Sequence, residues 1–387
     1  MSILELREHK ALFLGAVLLA VVPARLAQTF TTIYNFTGAA DGGGPMWGLV
    51  QGTDGSFYGT TGTGGENHGG TVFRITPTGS LTTLYNFDGV DGITSSGGLA
   101  LGADGNFYGI TANGLTGFGT VFQVTPAGVL TTLHTFSGAD GGNPMGGLVL
   151  GNDGNFYGTT MSGGASGSGT FFRIAPSGTF ANLYSFDPDG TPAGSALPRA
   201  ALVLGNDGNF YGTATAYGAG TAFRITPGGT LTTLHTFQYT DGVDPFGALA
   251  LGTDGNFYGT TVDGGAKGNG VIFQMTPSGT VTVLHSFDGA DGSSPWAGLA
   301  LGPDGNFYGS TTMGGASGSG TLFEITPDGV FIPLHSFSGA DGYMPQAALL
   351  LGKDGSFYGT SEGGGTGTIF RWLPSRHASL RRNQSPR

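Results

Sequence analysis

Apolar and polar positions alternate along this chain in short runs separated by glycine-rich turns, and residues 298–345 show one complete unit. Residues 298–302 (GLALG) are a brief apolar run, after which Pro303, Asp304 and Gly305 turn the chain. Residues 306–311 (NFYGST) read as a second strand, because Asp-Gly between two apolar runs favours a tight hairpin. A Gly-rich loop over 314–320 leads into residues 321–326 (TLFEIT). There Phe323 and Ile325 alternate with Leu322 and Glu324, the period of two expected of a strand. At 327–329 proline sets φ and glycine accepts a positive φ, which makes a second turn. Residues 330–337 (VFIPLHSF) form a fourth strand, and a longer loop over 338–345 enters the next unit.

The phrase Asp-Gly-(Asn/Ser)-Phe-Tyr-Gly recurs seven times, starting at Asp54, Asp104, Asp153, Asp207, Asp254, Asp304 and Asp354. The intervals are 50, 49, 54, 47, 50 and 50 residues. Four strands repeated at that period predict the blades of a β-propeller, whereas Gly-rich calcium rolls repeat at far shorter spacing. The ends fit closure. Residues 30–36 (FTTIYNF) match a fourth strand with no first three before it, and residues 368–374 (TIFRWLP) match a third strand with no fourth after it. The N-terminal strand would therefore complete the last blade, joining the ring and removing open sheet edges. The expected fold is all-β, a seven-bladed β-propeller over residues 28–374 with four strands per blade.

Composition narrows the class. The 387 residues include 78 Gly and 19 Pro, but 28 Phe, 13 Tyr and 3 Trp argue against disorder. Each interior Gly costs a helix roughly 1 kcal/mol against Ala, which excludes a helical protein. Gly does not recur at every third position, which excludes collagen. The lack of Cys removes disulfides, thiolate metal sites and cysteine nucleophiles. The net charge of −11 is unevenly spread, since residues 26–370 hold 6 basic and 23 acidic residues. Such an acidic body repels phosphate backbones, so nucleic acid is not an expected partner.

The two termini differ from the body. Arg7 and Lys10 precede an apolar run over residues 11–22, followed by Pro23 and Ala24. That run suits a signal-peptide core and falls short of the roughly 20 residues needed to span a bilayer. Residues 1–27 are read as a signal peptide cleaved after Ala24 or Ala27, with an uncleaved anchor as the alternative. The mature chain is expected to have no membrane span and to be secreted, extracellular or periplasmic, with cell-surface association open. Residues 375–387 read as a basic disordered tail.

The unit GLxLGxDGNFYGTTxxGGAxGxGTxFRITPxGTLTTLHxF, repeated over residues 29–374, resembles the GloVer (Gloeobacter–Verrucomicrobia) tandem repeat of exported bacterial proteins. The strand order is also similar to NHL-type and lactonase-type propellers. The resemblance implies export and carries over no established enzymatic activity. Many members end in a cell-surface sorting signal, whereas residues 375–387 hold neither an apolar stretch nor a sorting motif.

In a propeller the first strands line the central channel, and the fourth-to-first and second-to-third loops share one face, where ligands bind. Just after the loop proline, successive copies carry Met46 and Trp47, Ser96, Met145, Arg199, Phe246, Trp296 and Gln346. Repetition marks scaffold and departure marks use, so Met46, Trp47, Arg199, Phe246, Trp296 and Gln346 are the candidate ligand-binding residues at the channel mouth. Hydrophobic plugging of the channel is the alternative. Glu66, Asn67, His68, Asp263 and Lys267 on neighbouring loops are weaker candidates. The loop acids Asp41, Asp91, Asp140, Asp189, Asp241, Asp291 and Asp341 admit a Ca²⁺ reading. Their recurrence before Gly in every copy favours turn-forming carboxylates that accept local backbone hydrogens. His134, His235, His285 and His335 alternate with Tyr34, Tyr85 and Tyr184 at one fourth-strand position and read as packing residues. The Phe-Tyr pairs read as filling between blades. Gly359, Ser361 and Gly363 fit G-x-S-x-G, but a strand rather than a helix follows, so the match reads as coincidence.

Two functions compete. One is a non-enzymatic binding or scaffold module for a glycan, peptide or envelope component, working as a monomer without a cofactor. The other is a propeller enzyme of lactonase or lyase type with metal-assisted chemistry. The inner strands favour the first, because only Gln51 replaces an apolar residue there and a channel metal would lack ligands.

Overall fold

The Asp-Gly turn of each repeat is built by one carboxylate. Asp104 Oδ1 accepts the Asn106 amide at 3.1 Å and closes the turn, while Oδ2 accepts the Tyr108 hydroxyl at 2.9 Å. The same bond recurs from Asp54–Tyr58 to Asp354–Tyr358 at 2.7–3.2 Å. Burial opposes ionisation of Asp104, but hydrogen bonds from Tyr108 and Asn106 outweigh it and hold the carboxyl below its usual range. Burial, and then the bond to Asp104, push Tyr108 up to about 12.

Successive side chains on a strand point to opposite faces, so the Phe-Tyr pair reaches into both neighbouring blades. Tyr58 stacks on Phe107 with ring centroids 4.0 Å apart and Tyr108 on Phe156 at 4.1 Å, while Tyr358 packs on Phe57 at 4.0 Å with the planes tilted by 38° to close the circle. Glycine follows each pair because side chains from flanking strands lie against it. A Cβ on Gly109 would stand 2.4 Å from Phe122 Cζ and 2.8 Å from Leu99 Cδ2. Seven buried clusters, one between each pair of adjacent blades, form the core.

The computed structural model describes residues 29–187, 197–215 and 219–374, and residues 29–374 form one compact unit. They build seven antiparallel sheets, the blades of a seven-bladed β-propeller. In blade 6 the strands are Ala300–Leu301, Phe307–Thr311, Thr321–Ile325 and Phe331–Ser336, inside the runs expected from the sequence. The inner strands are only two residues long, because the sheets converge at the channel. A Cβ on Gly298 would stand 2.5 Å from the Ala248 carbonyl of the preceding blade.

Blades 2 and 3 depart from the four-strand plan. Ile93–Ser95 and Gly142–Pro144, in the entering loops, pair with the outer ends of second strands lengthened to seven residues. In blades 1, 5 and 6 the same contact shrinks to single bridges, Gly43↔Thr63, Val243↔Asp263 and Ser293↔Met313.

The ring closes as the termini predicted. Thr29–Asn35 pairs antiparallel with Thr368–Leu373 and becomes the outer strand of blade 7. Gln51, the polar residue of the inner strands, latches the same joint near the channel. Its Nε2 donates to the Gly55 carbonyl at 3.0 Å, and its Oε1 accepts the Lys353 amide of blade 7 at 2.9 Å. The signal-peptide and tail readings, residues 1–27 and 375–387, lie outside the described residues.

Two outcomes follow from the aromatic belt. Phe107→Ala, which empties a fully buried stacking position, should cost about 3–5 kcal/mol in urea denaturation. Stability measured against pH should fall at both the acid and the alkaline end. The lowered Asp104 stabilises the fold above its unfolded pKa of about 4 and loses that contribution on acidification. The raised Tyr108 stabilises it below about 10 and loses that contribution as pH rises toward its folded value.

Candidate functional site

At one equivalent position, each loop entering a blade places a residue in the left-handed region: Gly44, Thr94, Asn143, Leu197, Asp244, Ser294 and Met344, with φ between 49° and 61°. Six of the seven carry a side chain, which costs roughly 1–2 kcal/mol apiece in that conformation. The amide of each donates to a carbonyl on the second-to-third loop of the preceding blade. Examples are Thr94 to Gly69 at 2.9 Å, Ser294 to Asn269 at 3.0 Å and, across the closure, Gly44 to Thr366 at 2.8 Å. Two residues beyond six of these positions stand Met46, Met145, Arg199, Phe246, Trp296 and Gln346, which line the channel mouth, whereas the blade 2 counterpart, Ser96, is buried. The strained turn therefore staples blade to blade and aims the mouth residue.

The structure brings the six candidates together. Met46, Trp47, Arg199, Phe246, Trp296 and Gln346, with Met145, line one open pocket of about 560 Å3. Phe246 and Trp296 stack with centroids 5.0 Å apart and planes 7° from parallel. The Arg199 guanidinium lies 5.0 Å from the Phe246 centroid, so Arg199, Phe246 and Trp296 form a column across blades 4, 5 and 6. Trp296 is 40% exposed at the end of that column. The two tryptophans differ, since Trp47 is half-buried and its indole N–H is held by the Ser95 carbonyl at 2.8 Å. Ser96 is buried, and its hydroxyl donates to the Pro144 carbonyl.

Arg199 has acidic company. Burial, and then Asp263, raise the Asp244 carboxyl, while Arg199 acts against them. Arg199 Nε is buried without a hydrogen-bond partner among the described residues. Glu66, Asn67, His68, Asp263 and Lys267 are exposed and do not line the pocket.

The loop acids go elsewhere. Asp140 accepts the Ser137 amide at 2.8 Å and meets His134 Nε2 at 2.9 Å. Asp241, Asp291 and Asp341 repeat this with His235, His285 and His335 at 2.8–2.9 Å. Asp41 and Asp91 accept the hydroxyls of Tyr34 and Tyr85 instead. The alternating His or Tyr is thus a packing residue with a polar tip that anchors its own blade's loop. His134 stacks on Phe180 of the next blade at 3.7 Å, and His335 on Phe30 at 4.1 Å. Burial pulls His134 below the usual histidine range, against the opposing pull of Asp140. Asp189 lies outside the described residues. Ser361 is buried and shares a hydrogen bond with Thr368 at 2.6 Å, the place of the Thr61–Thr71 and Thr311–Thr321 pairs, so its role is in the sheet.

Sequence reasoning missed a second pocket, of about 470 Å3, lined by Gly44, Thr63, Tyr343, Glu362, Gly365 and Thr366 at the joint of blades 7 and 1. The signal for it was a spacing. The paired hydroxyls are 10 residues apart in blades 1, 3 and 6 but 7 apart in blade 7.

A family model described as the Gloeobacter/Verrucomicrobia repeat matches residues 20–219 and 198–381. The chain belongs to the Gloeobacter/Verrucomicrobia repeat family. No curated protein matches it. This family member is similar in structure to streptogramin B lyase, at 17% identity and TM-score 0.62, over 91% of this chain and 99% of that one. Virginiamycin B lyase from Staphylococcus aureus is similar at 18% identity and TM-score 0.61, over 90% and 99%. The extracellular domain of a hybrid two component system from B. thetaiotaomicron is similar at 13% identity and TM-score 0.63, over 92% of this chain and 40% of that one. At these identities the likeness of the Gloeobacter/Verrucomicrobia repeat protein to its neighbours is one of fold.

The stapling turns yield a stability outcome. Thr94 is exposed, β-branched and held at φ 56°. Thr94→Gly keeps the amide bond to Gly69 and relieves the left-handed strain, so it should raise the unfolding free energy by up to about 1 kcal/mol in urea denaturation.

Proposed function

We propose that this Gloeobacter/Verrucomicrobia repeat protein is an exported, non-enzymatic binding propeller that holds an extracellular glycan or protein at its channel mouth. One observation carries the reading. Six of the seven residues that differ from blade to blade at a fixed loop position converge on a single pocket, Ser96 being the exception, while the residues common to all blades are accounted for by turns, stacking and sheet pairing. The lining supplies aromatic and thioether faces, one guanidinium and one amide. That equipment suits recognition by stacking and hydrogen bonding. General acid–base chemistry instead calls for titratable groups within hydrogen-bond reach of the reacting atoms.

Export rests on residues 1–27, which carry the basic start, the apolar run and the small residues of a signal peptide. No helix among the described residues is long and apolar enough to cross a membrane. The acidic body disfavours nucleic acid. The protein acts as a monomer in this reading, and it needs no ion at the six described loop aspartates because those already accept hydrogen bonds from a nearby His or Tyr, as at Asp140.

The test is a glycan-array and thermal-shift screen of the mature chain, with and without calcium. Trp296→Ala should weaken binding of any hit at least about tenfold with little change in melting temperature, since the indole is an exposed stacking face. Trp47→Ala should instead lower the melting temperature, because its N–H closes a bond to Ser95. Hits indifferent to Trp296 would sink the mouth as the site. Lactone hydrolysis abolished by a chelator would replace the binding reading with the enzymatic one.

A further inference from the structure

The pocket at the joint of blades 7 and 1 follows from a shortened loop. In blades 1, 3, 5 and 6 the residues flanking the second-to-third loop are 10 apart, as with Thr311 and Thr321. Blades 4 and 7 carry shorter versions, pairing Ala214 with Thr221 and Ser361 with Thr368. The blade 4 loop is described only in part. In blade 7 the shorter loop makes a single 3-10 turn, Gly363–Gly365, and its residues Glu362, Gly365 and Thr366 border the pocket.

This pocket is more polar than the mouth. Its lining residues include Glu362, Tyr343, Thr63 and Thr366, and the two threonine hydroxyls donate to the Gly43 and Phe36 carbonyls, which leaves their oxygens as acceptors. The two spaces meet at one hydrogen bond, in which Gln346 Nε2 of the mouth donates to Glu362 Oε1 of the joint pocket at 2.9 Å. The Glu362 amide is in turn held by the Tyr343 carbonyl at 2.9 Å. Trp296, with its exposed indole, stands in blade 6 beside Gln346 in blade 7. An aromatic face, then an amide–carboxylate pair, then a hydroxyl-rich pocket therefore follow one another around the rim.

A pyranose ring has that same division, with an apolar C–H face for an indole and an equatorial rim of hydroxyls for planar polar groups. We infer that the joint pocket is a second sugar subsite, so that the ligand is a linear oligosaccharide running from the Trp296 face across the Gln346–Glu362 pair. The inference rests on the mouth being a binding site and adds the ligand's class, length and direction. Charge selects among sugars. Glu362, on a body with 23 acidic and 6 basic residues, favours neutral or amino sugars over uronic acids.

The experiment titrates the mature chain by tryptophan fluorescence, which reads Trp47 and Trp296 at the mouth against the buried Trp372 and keeps a mouth reporter in Trp296→Ala. The probes are glucose and N-acetylglucosamine, their β-1,4-linked dimers and tetramers, the glucosamine tetramer and the galacturonate tetramer. Wild type should bind a tetramer about tenfold or more tighter than its monosaccharide, through linkage of two subsites, and should reject galacturonate. The diagnostic variant replaces residues 362–367 with the longer blade 6 loop, residues 312–320, which is native to the repeat and fills the pocket. In that graft the tetramer should bind no more tightly than the monosaccharide. A length advantage that survives the graft overturns the second subsite and leaves the mouth standing. Binding indifferent to Trp296→Ala overturns the mouth reading itself. If none of the sugars binds wild type, or galacturonate binds best, the assigned ligand class is wrong.

Discussion

The ring depends on one interaction, the stacking of a tyrosine from each blade on a phenylalanine of the next, with the tyrosine hydroxyl fixed by the aspartate of its own turn. Because the two aromatics are adjacent in sequence, a blade cannot shift its register without presenting the wrong ring to each neighbour. The hydroxyl bond removes the remaining freedom of the tyrosine, and the following glycine lets the neighbouring strands' side chains close over it. With adhesion between blades concentrated in these inner residues, the loops on the upper face carry little of the core. They are free to differ, and at the mouth they do.

Much of this was legible in the sequence because repetition makes each assignment seven times. The Phe-Tyr spacing, the Asp-Gly turns and the orphan outer strand at the N-terminus needed only the strand period and the topology of ring closure. Five of the six mouth residues were also found in this way, as departures at a fixed offset from the loop proline, with Trp47 one position further on. The rest depends on position around the ring, which one-dimensional spacing does not contain. That Arg199, Phe246 and Trp296 form a column follows from their standing in successive blades at one height. That Trp47 is held by Ser95 while Trp296 is open follows from the partner each happens to meet.

Two features had a sequence signal that passed unread. His134 and Asp140 lie six residues apart, as do His235 and Asp241, and Tyr85 and Asp91. Taken together rather than as separate sets, they spell a loop anchor, with imidazole or phenol reaching a carboxylate that also caps the turn. The short strands in the entering loops of blades 2 and 3 were hidden for the opposite reason. Residues 93–95 and 142–144 contain left-handed Thr94 and Asn143, which no strand pattern anticipates.

The closure has a consequence for assembly. The outer strand of blade 7 joins a partner more than 300 residues away, as Phe36 and Thr366 show with their separation of 330. The chain therefore has no complete ring until its last strand is available, and the entropy of closing so long a loop is met only at that final step. Until then blade 7 displays an unpaired edge that Thr29–Asn35 of any other copy fits as well as its own. Dilution favours the intramolecular strand and crowding the foreign one, so the misassembly that this closure permits is a strand-exchanged dimer or an open chain of copies, each joint repeating the native strand pairing.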